Sequence, residues 1–279
     1  MKKLFLLALV LLTIAFAQAQ TKTAVPYGNN PKAGKYFATR GIKLYYEIYG
    51  KGKPLLLIHG NGGSMAHFKY QIPYFAQQYK VIAVDSRAQG KSVDSSSTLT
   101  YETMTDDFDA LLTHLKIDSA YVIGWSDGGI NGLLLAIRHP DKVKKLAVTG
   151  ANLTPDPGVF HPDALKSIQD GIATLKAGKQ DAEAKNTIKL LHMMEIEPNI
   201  LLSDLKKIKC PVLVIGGDYD AIKAGHTLQI FENIPKAYLW ILPNAGHATL
   251  QRYKDEFNSK IQHFFKNPFR LPKWDDWDQ

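Results

Sequence analysis

The sequence predicts an α/β fold: a mostly parallel, doubly wound sheet of about eight strands carrying a small helical cap. Two observations predict the sheet and a third the cap. Short β-like runs alternate with helical patterns along most of the chain. Turns directly after several of these runs hold the residues best suited to chemistry, as the carboxyl edge of an open α/β sheet does. Between about residues 151 and 209 the alternation stops, and apolar residues recur at helical spacing instead.

At the amino end, Met1-Lys2-Lys3 precedes the apolar stretch 4–16 and then Ala17-Gln18-Ala19-Gln20. That order of charge, apolar run and small residues is the pattern of a secretory signal peptide occupying 1–19, with cleavage near Ala19. The run is shorter than the ~20 residues of a spanning helix, so no stable membrane insertion and a periplasmic or secreted location are expected. The remainder, 20–279, is long enough for one domain to bury most of its apolar surface, and the chain is 45% hydrophobic. Its single cysteine, Cys210, allows no internal disulfide, so stability rests on the core. Net charge is +8, of which Lys2 and Lys3 supply two, and the other lysines are scattered. No basic stripe interleaved with aromatics appears, so no nucleic-acid partner is expected.

After the leader, segments 36–39 and 44–49 have no crossover helix between them and predict an antiparallel start to the sheet. Segments 55–59, 81–85, 121–124, 146–149, 212–216 and 238–242 are separated mostly by helical patterns and predict parallel strands. Within the cap, Leu165, Ile168, Ile172 and Leu175 form one helical stripe, and Ile188, Leu190, Leu191, Met193 and Met194 a second apolar cluster. Beyond Lys266 a tail containing Trp274 and Trp277 among aspartates reads as loosely packed or contacting a neighbour.

Gly124-Trp125-Ser126-Asp127-Gly128 is G-x-S-x-G set between a strand-like and a helix-like run. Small residues let the backbone fold tightly around Ser126, which presents its hydroxyl at the carboxyl end of the sheet. A serine hydroxyl needs an imidazole to take its proton, and the imidazole needs a carboxylate to fix its tautomer. His247 follows the strand 238–242, and the turn after 212–216 offers two carboxylates, Asp218 and Asp220. Upstream, His59-Gly60-Asn61-Gly62-Gly63 ends a buried strand in a glycine-rich turn able to bring amides to a substrate. That turn lacks both the G-x-G-x-x-G spacing and the P-loop lysine, and no zinc-type spacing occurs, so no nucleotide, metal or other cofactor is expected.

Together with the stretch from Asp85 to Ser92, these residues resemble the α/β-hydrolase family over nearly the whole chain after the leader. The run Gly124-Trp125-Ser126-Asp127-Gly128-Gly129 is most similar to the biphenyl-hydrolase-like and valacyclovir-hydrolase group. The resemblance implies Ser126 as nucleophile, Asp220 as triad acid through the family's G-x-x-D turn, and His247 as base. It also implies backbone oxyanion donors at Asn61 and Asp127, and His59 as a brace for the oxyanion loop. Asp218 is then expected to cap the next helix. Ala88 departs from the pattern, standing where the family usually has glycine.

The expected activity is that of a serine hydrolase cleaving small-molecule carboxylic esters through an acyl-enzyme on Ser126. An amide, a lactone or a carbon–carbon bond could use the same machinery, and a hydrolase-fold ligand-binding protein with little turnover is the alternative from another class. Trp125, Asp127, Met193 and Met194 are the candidates for substrate contact. A carboxylate directly after the serine either faces the pocket, where it could pair with the α-amino group of an amino-acid ester, or turns away to cap the helix it begins.

Overall fold

The computed structural model describes residues 25–179 and 181–272; the leader and the tryptophans of the tail lie outside them. The sheet has eight strands. It begins with a hairpin of β1 (Gly34–Thr39) and β2 (Ile42–Tyr49), in which Thr39 pairs with Ile42. β3 (Lys53–Ile58) follows, then a short helix α1 (Gln71–Phe75) and β4 (Tyr79–Val84). Helix α2 (Tyr101–His114) leads to β5 (Ala120–Trp125), and α3 (Asp127–Arg138) to β6 (Val143–Thr149).

An insertion comes next: α4 (Pro162–Ala177), α5 (Ala182–Ile196) and the single turn α6 (Leu202–Leu205). The chain then closes with β7 (Val212–Gly217), α7 (Ala224–Glu232), β8 (Ala237–Leu242), the turn α8 (Thr249–Arg252) and α9 (Lys254–Lys266). Strand order is β1-β2-β4-β3-β5-β6-β7-β8, antiparallel where β2 meets β1 and β4, and parallel throughout the rest.

The central strands are apolar on both faces because helices cover both. In β3, Leu56 and Ile58 join the core formed with Met104, Phe108 and Leu111 of α2 and Ile130 and Leu133 of α3. Leu55 and Leu57 point the other way, into the core formed with Phe257, Ile261 and Phe265 of α9. The far end of α9 is closed by Lys145 of β6, whose ammonium donates to the carbonyls of Phe264 at 2.7 Å and Phe265 at 3.3 Å, and to that of Asn267. A cation there complements the negative end of the helix dipole.

Register aligns the strand ends that matter. Ile58 lies opposite Gly124, Trp125 opposite Thr149, and Gly217 opposite Leu242, so the turns after β3, β5, β7 and β8 emerge along one edge. The insertion is fastened to the body beside that edge. Asn186 Nδ2 donates to Ala88 O at 2.7 Å, Lys189 Nζ to Asp94 O at 3.1 Å and Ser96 O at 3.0 Å, and Tyr101 N–H to Glu197 Oε2 at 2.9 Å. Ala88 itself sits at φ 64°. The loop therefore keeps the left-handed turn that glycine adopts freely, in spite of the methyl group.

Candidate active site

Ser126 occupies the tight turn between β5 and α3 with φ 56° and ψ −120°, a conformation sparsely populated by side-chain-bearing residues. Backbone contacts enforce it. Ser126 N–H donates to Thr149 O at 2.9 Å, and its own carbonyl accepts from Gly129 at 2.7 Å and Ile130 at 3.0 Å. The flanking glycines are required by close approach: a Cβ on Gly124 would strike the Gly128 carbonyl, and one on Gly128 would strike the Ile58 carbonyl.

His247 Nε2 lies 2.9 Å from Ser126 Oγ, and His247 Nδ1 lies 2.6 Å from Asp220 Oδ1. An ionised carboxylate only accepts, so Nδ1 carries the proton and Nε2 is free to accept from the serine. Asp220 is itself fixed by the amides of Ile222 at 3.2 Å and Gly217 at 3.3 Å, with its side chain wholly buried, while the His247 side chain remains 30% exposed. A cavity of about 510 Å³ opens beside His247, lined by Tyr219, Asn244 and Arg252 among others.

Asp218 does not cap the next helix. It accepts instead from the amides of Asn244 and Ala245, both at 2.9 Å, because the turn after β7 faces the turn after β8. These amide bonds hold its carboxyl below the usual carboxylate range. Tyr253 hydroxyl donates to Asn244 O at 2.6 Å, and Trp125 Nε1 donates to His247 O at 2.9 Å. The Trp125 ring, half-buried, also stands 5.3 Å from His67 and 5.8 Å from His247. Its indole thus braces the loop that carries the imidazole.

The turn after β3 is held from beneath by His59. Its Nδ1–H donates to Gly60 O at 2.8 Å while Nε2 accepts from Ser86 N–H at 3.0 Å, and burial pushes its pKa down to about 4. The ring is neutral and shared between two loops. Asn61, next in the turn, sends its side chain toward the elbow: Nδ2 donates to Asp127 Oδ2 at 2.8 Å and reaches Leu190 O of α5 at 3.4 Å.

Asp127 is the first residue of α3 and is only 2% exposed. The helix's N-cap is Ser126, whose side chain makes no cap hydrogen bond, and the Asp127 carboxylate is turned away from solvent toward Asn61. That carboxylate accepts from Asn61 and from the Tyr101 hydroxyl. Burial raises its pKa to about 6, opposed by those two hydrogen bonds and by the charge of His247. Among the described residues no lysine or arginine pairs with it. Tyr101 was not foreseen, since an aromatic at the start of α2 reads simply as core. Met193 is 1% exposed and packs within the core, whereas Met194 is half-buried on the same helix.

A family model described as alpha/beta hydrolase fold matches residues 53–177. An AB hydrolase superfamily protein of Bacillus subtilis, YisY, is 28% identical over 264 residues, covering 83% of this chain and 98% of its own. The human serine hydrolase BPHL is 24% identical over 269 residues, covering 87% of this chain and 89% of its own. Among solved structures, an esterase from Exiguobacterium antarcticum superposes with a TM-score of 0.73 at 24% identity, covering 84% of this chain and 100% of its own. The chain has the alpha/beta hydrolase fold, is similar in sequence to α/β hydrolases over most of its length, and is a hydrolase of that fold.

Proposed function

We propose that this protein is a serine hydrolase that cleaves small-molecule carboxylic esters by acyl transfer to Ser126 and then to water. The observation that supports it most is the unbroken hydrogen-bond chain from Asp220 through His247 to Ser126, built on a strained elbow. In the first half-reaction Ser126 Oγ attacks the ester carbonyl while His247 Nε2 takes its proton. Asp220 steadies the resulting imidazolium. The backbone N–H groups of Asn61 and Asp127 receive the oxyanion; as first residue of its helix, Asp127 has an amide with no intrahelical partner. The carbon–oxygen bond then breaks, and the alcohol leaves with the proton from His247. Water, deprotonated by His247, attacks the acyl carbon; the bond from that carbon to Ser126 Oγ then breaks as His247 returns the proton to Oγ, and the acid leaves. No cofactor enters this sequence.

A narrower reading is favoured by Asp127. A buried carboxylate without a countercharge, directly beside the nucleophile, suits esters that carry a free α-amino group. Export through the leader is part of the proposal; N-terminal sequencing of protein recovered outside the cytoplasm should begin near Gln20, and retention of the leader would contradict it. The catalytic assignment is tested with a panel of chromogenic esters, amides and lactones on wild type and Ser126→Ala. Ester turnover should fall on the order of 10³-fold or more in the variant, and a serine-reactive phosphonate should label Ser126 alone. Surviving activity, or labelling elsewhere, would overturn the mechanism. Absence of turnover on every substrate by the wild type would favour a ligand-binding protein.

A further inference from the structure

The glycine-rich turn after β3 passes directly over the nucleophile: a Cβ on Gly60 would lie 3.0 Å from Ser126 Cβ and 3.6 Å from its Oγ. Gly63 N–H donates to Gly60 O at 3.2 Å and closes the turn. Against Gly63 lies the ring of His67, so near that a Cβ on that glycine would stand 2.6 Å from both Cε1 and Nδ1. We propose that His67 is a positioning residue for the reaction: its ring holds the turn 60–63 where the Asn61 backbone N–H meets the oxyanion formed when Ser126 attacks. The inference rests on the acyl-transfer reading and adds to it the group that sets one oxyanion donor in place.

Three observations carry the argument. Gly62 adopts φ 64° in open space, whereas Gly63 has no positive φ to accommodate, so what position 63 requires of glycine is room for the ring. The ring is not placed there by a hydrogen bond from its inner nitrogen: Nδ1 is buried and has no partner among the described residues. A buried polar atom left unpaired costs stability, so packing fixes the ring against that cost. Burial, and after it the charge of Lys69, push its pKa below the ordinary histidine value, which keeps the ring neutral. Lastly, the ring meets Trp125 edge to face, with centroids 5.3 Å apart and planes at 73°, and Trp125 Nε1 donates to His247 O at 2.9 Å. His67 therefore touches both the turn that carries Asn61 and the indole that braces the base.

The segment behind the ring is firm. His67 lies in the single 3₁₀ turn Met65–Phe68, whose Met65 and Phe68 side chains are wholly buried. Met65 N–H donates to Asp85 Oδ1 at 2.9 Å, and Ser64 Oγ accepts from Ala66 N–H at 3.3 Å. The segment in front is soft. Three of the four residues from Gly60 to Gly63 are glycine, and glycine leaves the backbone many conformations. Without the ring, the Asn61 N–H loses its fixed place, and a misplacement of about 1 Å can cost about a hundredfold in rate.

The test compares wild type, His67→Ala, Gly63→Ala and the double variant on a neutral aryl ester, with an arylboronic acid as second probe. Ser126 Oγ adds to the trigonal boron, its proton passes to His247, and the tetrahedral adduct sets an oxygen where the oxyanion forms. His67→Ala frees the turn and Gly63→Ala drives it off the ring. Each should lower kcat about ten- to hundredfold, weaken boronate binding by a similar factor and leave KM within about threefold of wild type. The double variant gives the new methyl the space of the ring, with Gly60 O 3.0 Å away as the remaining limit. It should lose no more than the worse single variant, because the two changes break one contact. Losses that multiply in the double variant, or a rise in KM alone, would overturn the proposal. So would kcat and boronate affinity within about twofold of wild type in both single variants, whatever thermal melting shows of their stability. A wild type that neither hydrolyses the ester nor binds the boronate would refute the acyl-transfer reading instead.

Discussion

Asp127→Asn should make the protein more stable at mildly alkaline pH, although it removes a group proposed to serve function. Burial raises the folded-state pKa from 3.8 to about 6. The sign follows from that direction. Between those values the folded state holds a proton that the unfolded state has released, so the carboxyl's contribution is most favourable below the unfolded value. It becomes unfavourable as pH rises through about 6. Roughly two pKa units at 1.36 kcal/mol each correspond to a penalty of about 3 kcal/mol at pH well above 6. Asparagine avoids the charge but turns one donor-bearing end toward Asn61 or Tyr101, which costs about 1 kcal/mol for a lost hydrogen bond. A net gain of about 1–2 kcal/mol should therefore appear at about pH 8 and vanish near about pH 4. Urea denaturation of both proteins at the two pH values, read as a shift in midpoint at constant slope, measures it. A variant less stable than wild type at the higher pH, or a gain that is the same at both, would refute the reasoning.

The two carboxylates of the turn after β7 should separate in kinetics: Asp220→Asn should reduce kcat by about 10³ to 10⁴, since the imidazolium loses its partner. Asp218→Asn should reduce it by no more than about tenfold, because an asparagine oxygen still accepts from the Asn244–Ala245 turn. The opposite ranking in purified variants would reassign the acid. Ala88→Gly should raise stability by up to about 1 kcal/mol, the relief of a left-handed alanine less the extra chain entropy of glycine, as read by thermal melting. A loss of more than about 1 kcal/mol would mean that the buried methyl packs better than its backbone strain suggests.

Much of this was legible in the chain itself. Strands β3, β4, β5 and β7 announce themselves as apolar runs, because that part of the sheet is covered on both faces, whereas β1 is half-buried or exposed along its whole length. Ser126, Asp220 and His247 were readable from their places after strands, with the choice of Asp220 over Asp218 resting on family resemblance. The remainder depended on direction in space. Position 127 begins a helix, and nothing in its neighbours says that a tyrosine 26 residues upstream will reach it. Met193 and Met194 are adjacent on α5, so about 100° of helical rotation separates them and burial falls on one alone. Lys145 also defeated the pattern: a charge pair before 146–149 argues against strand, yet β6 begins at Val143 since the open carbonyls of α9 receive that ammonium.

The loop bearing the imidazole is fastened by Asp218, Asp220 and Trp125 at the ends of β7 and β5 and by Tyr253 at the junction of α8 and α9. None of these anchors comes from the insertion between β6 and β7. The imidazole is accordingly held in place independently of the insertion. An insertion of different length or packing could therefore be carried on the same edge of the sheet without loosening the hydrogen bonds that hold His247.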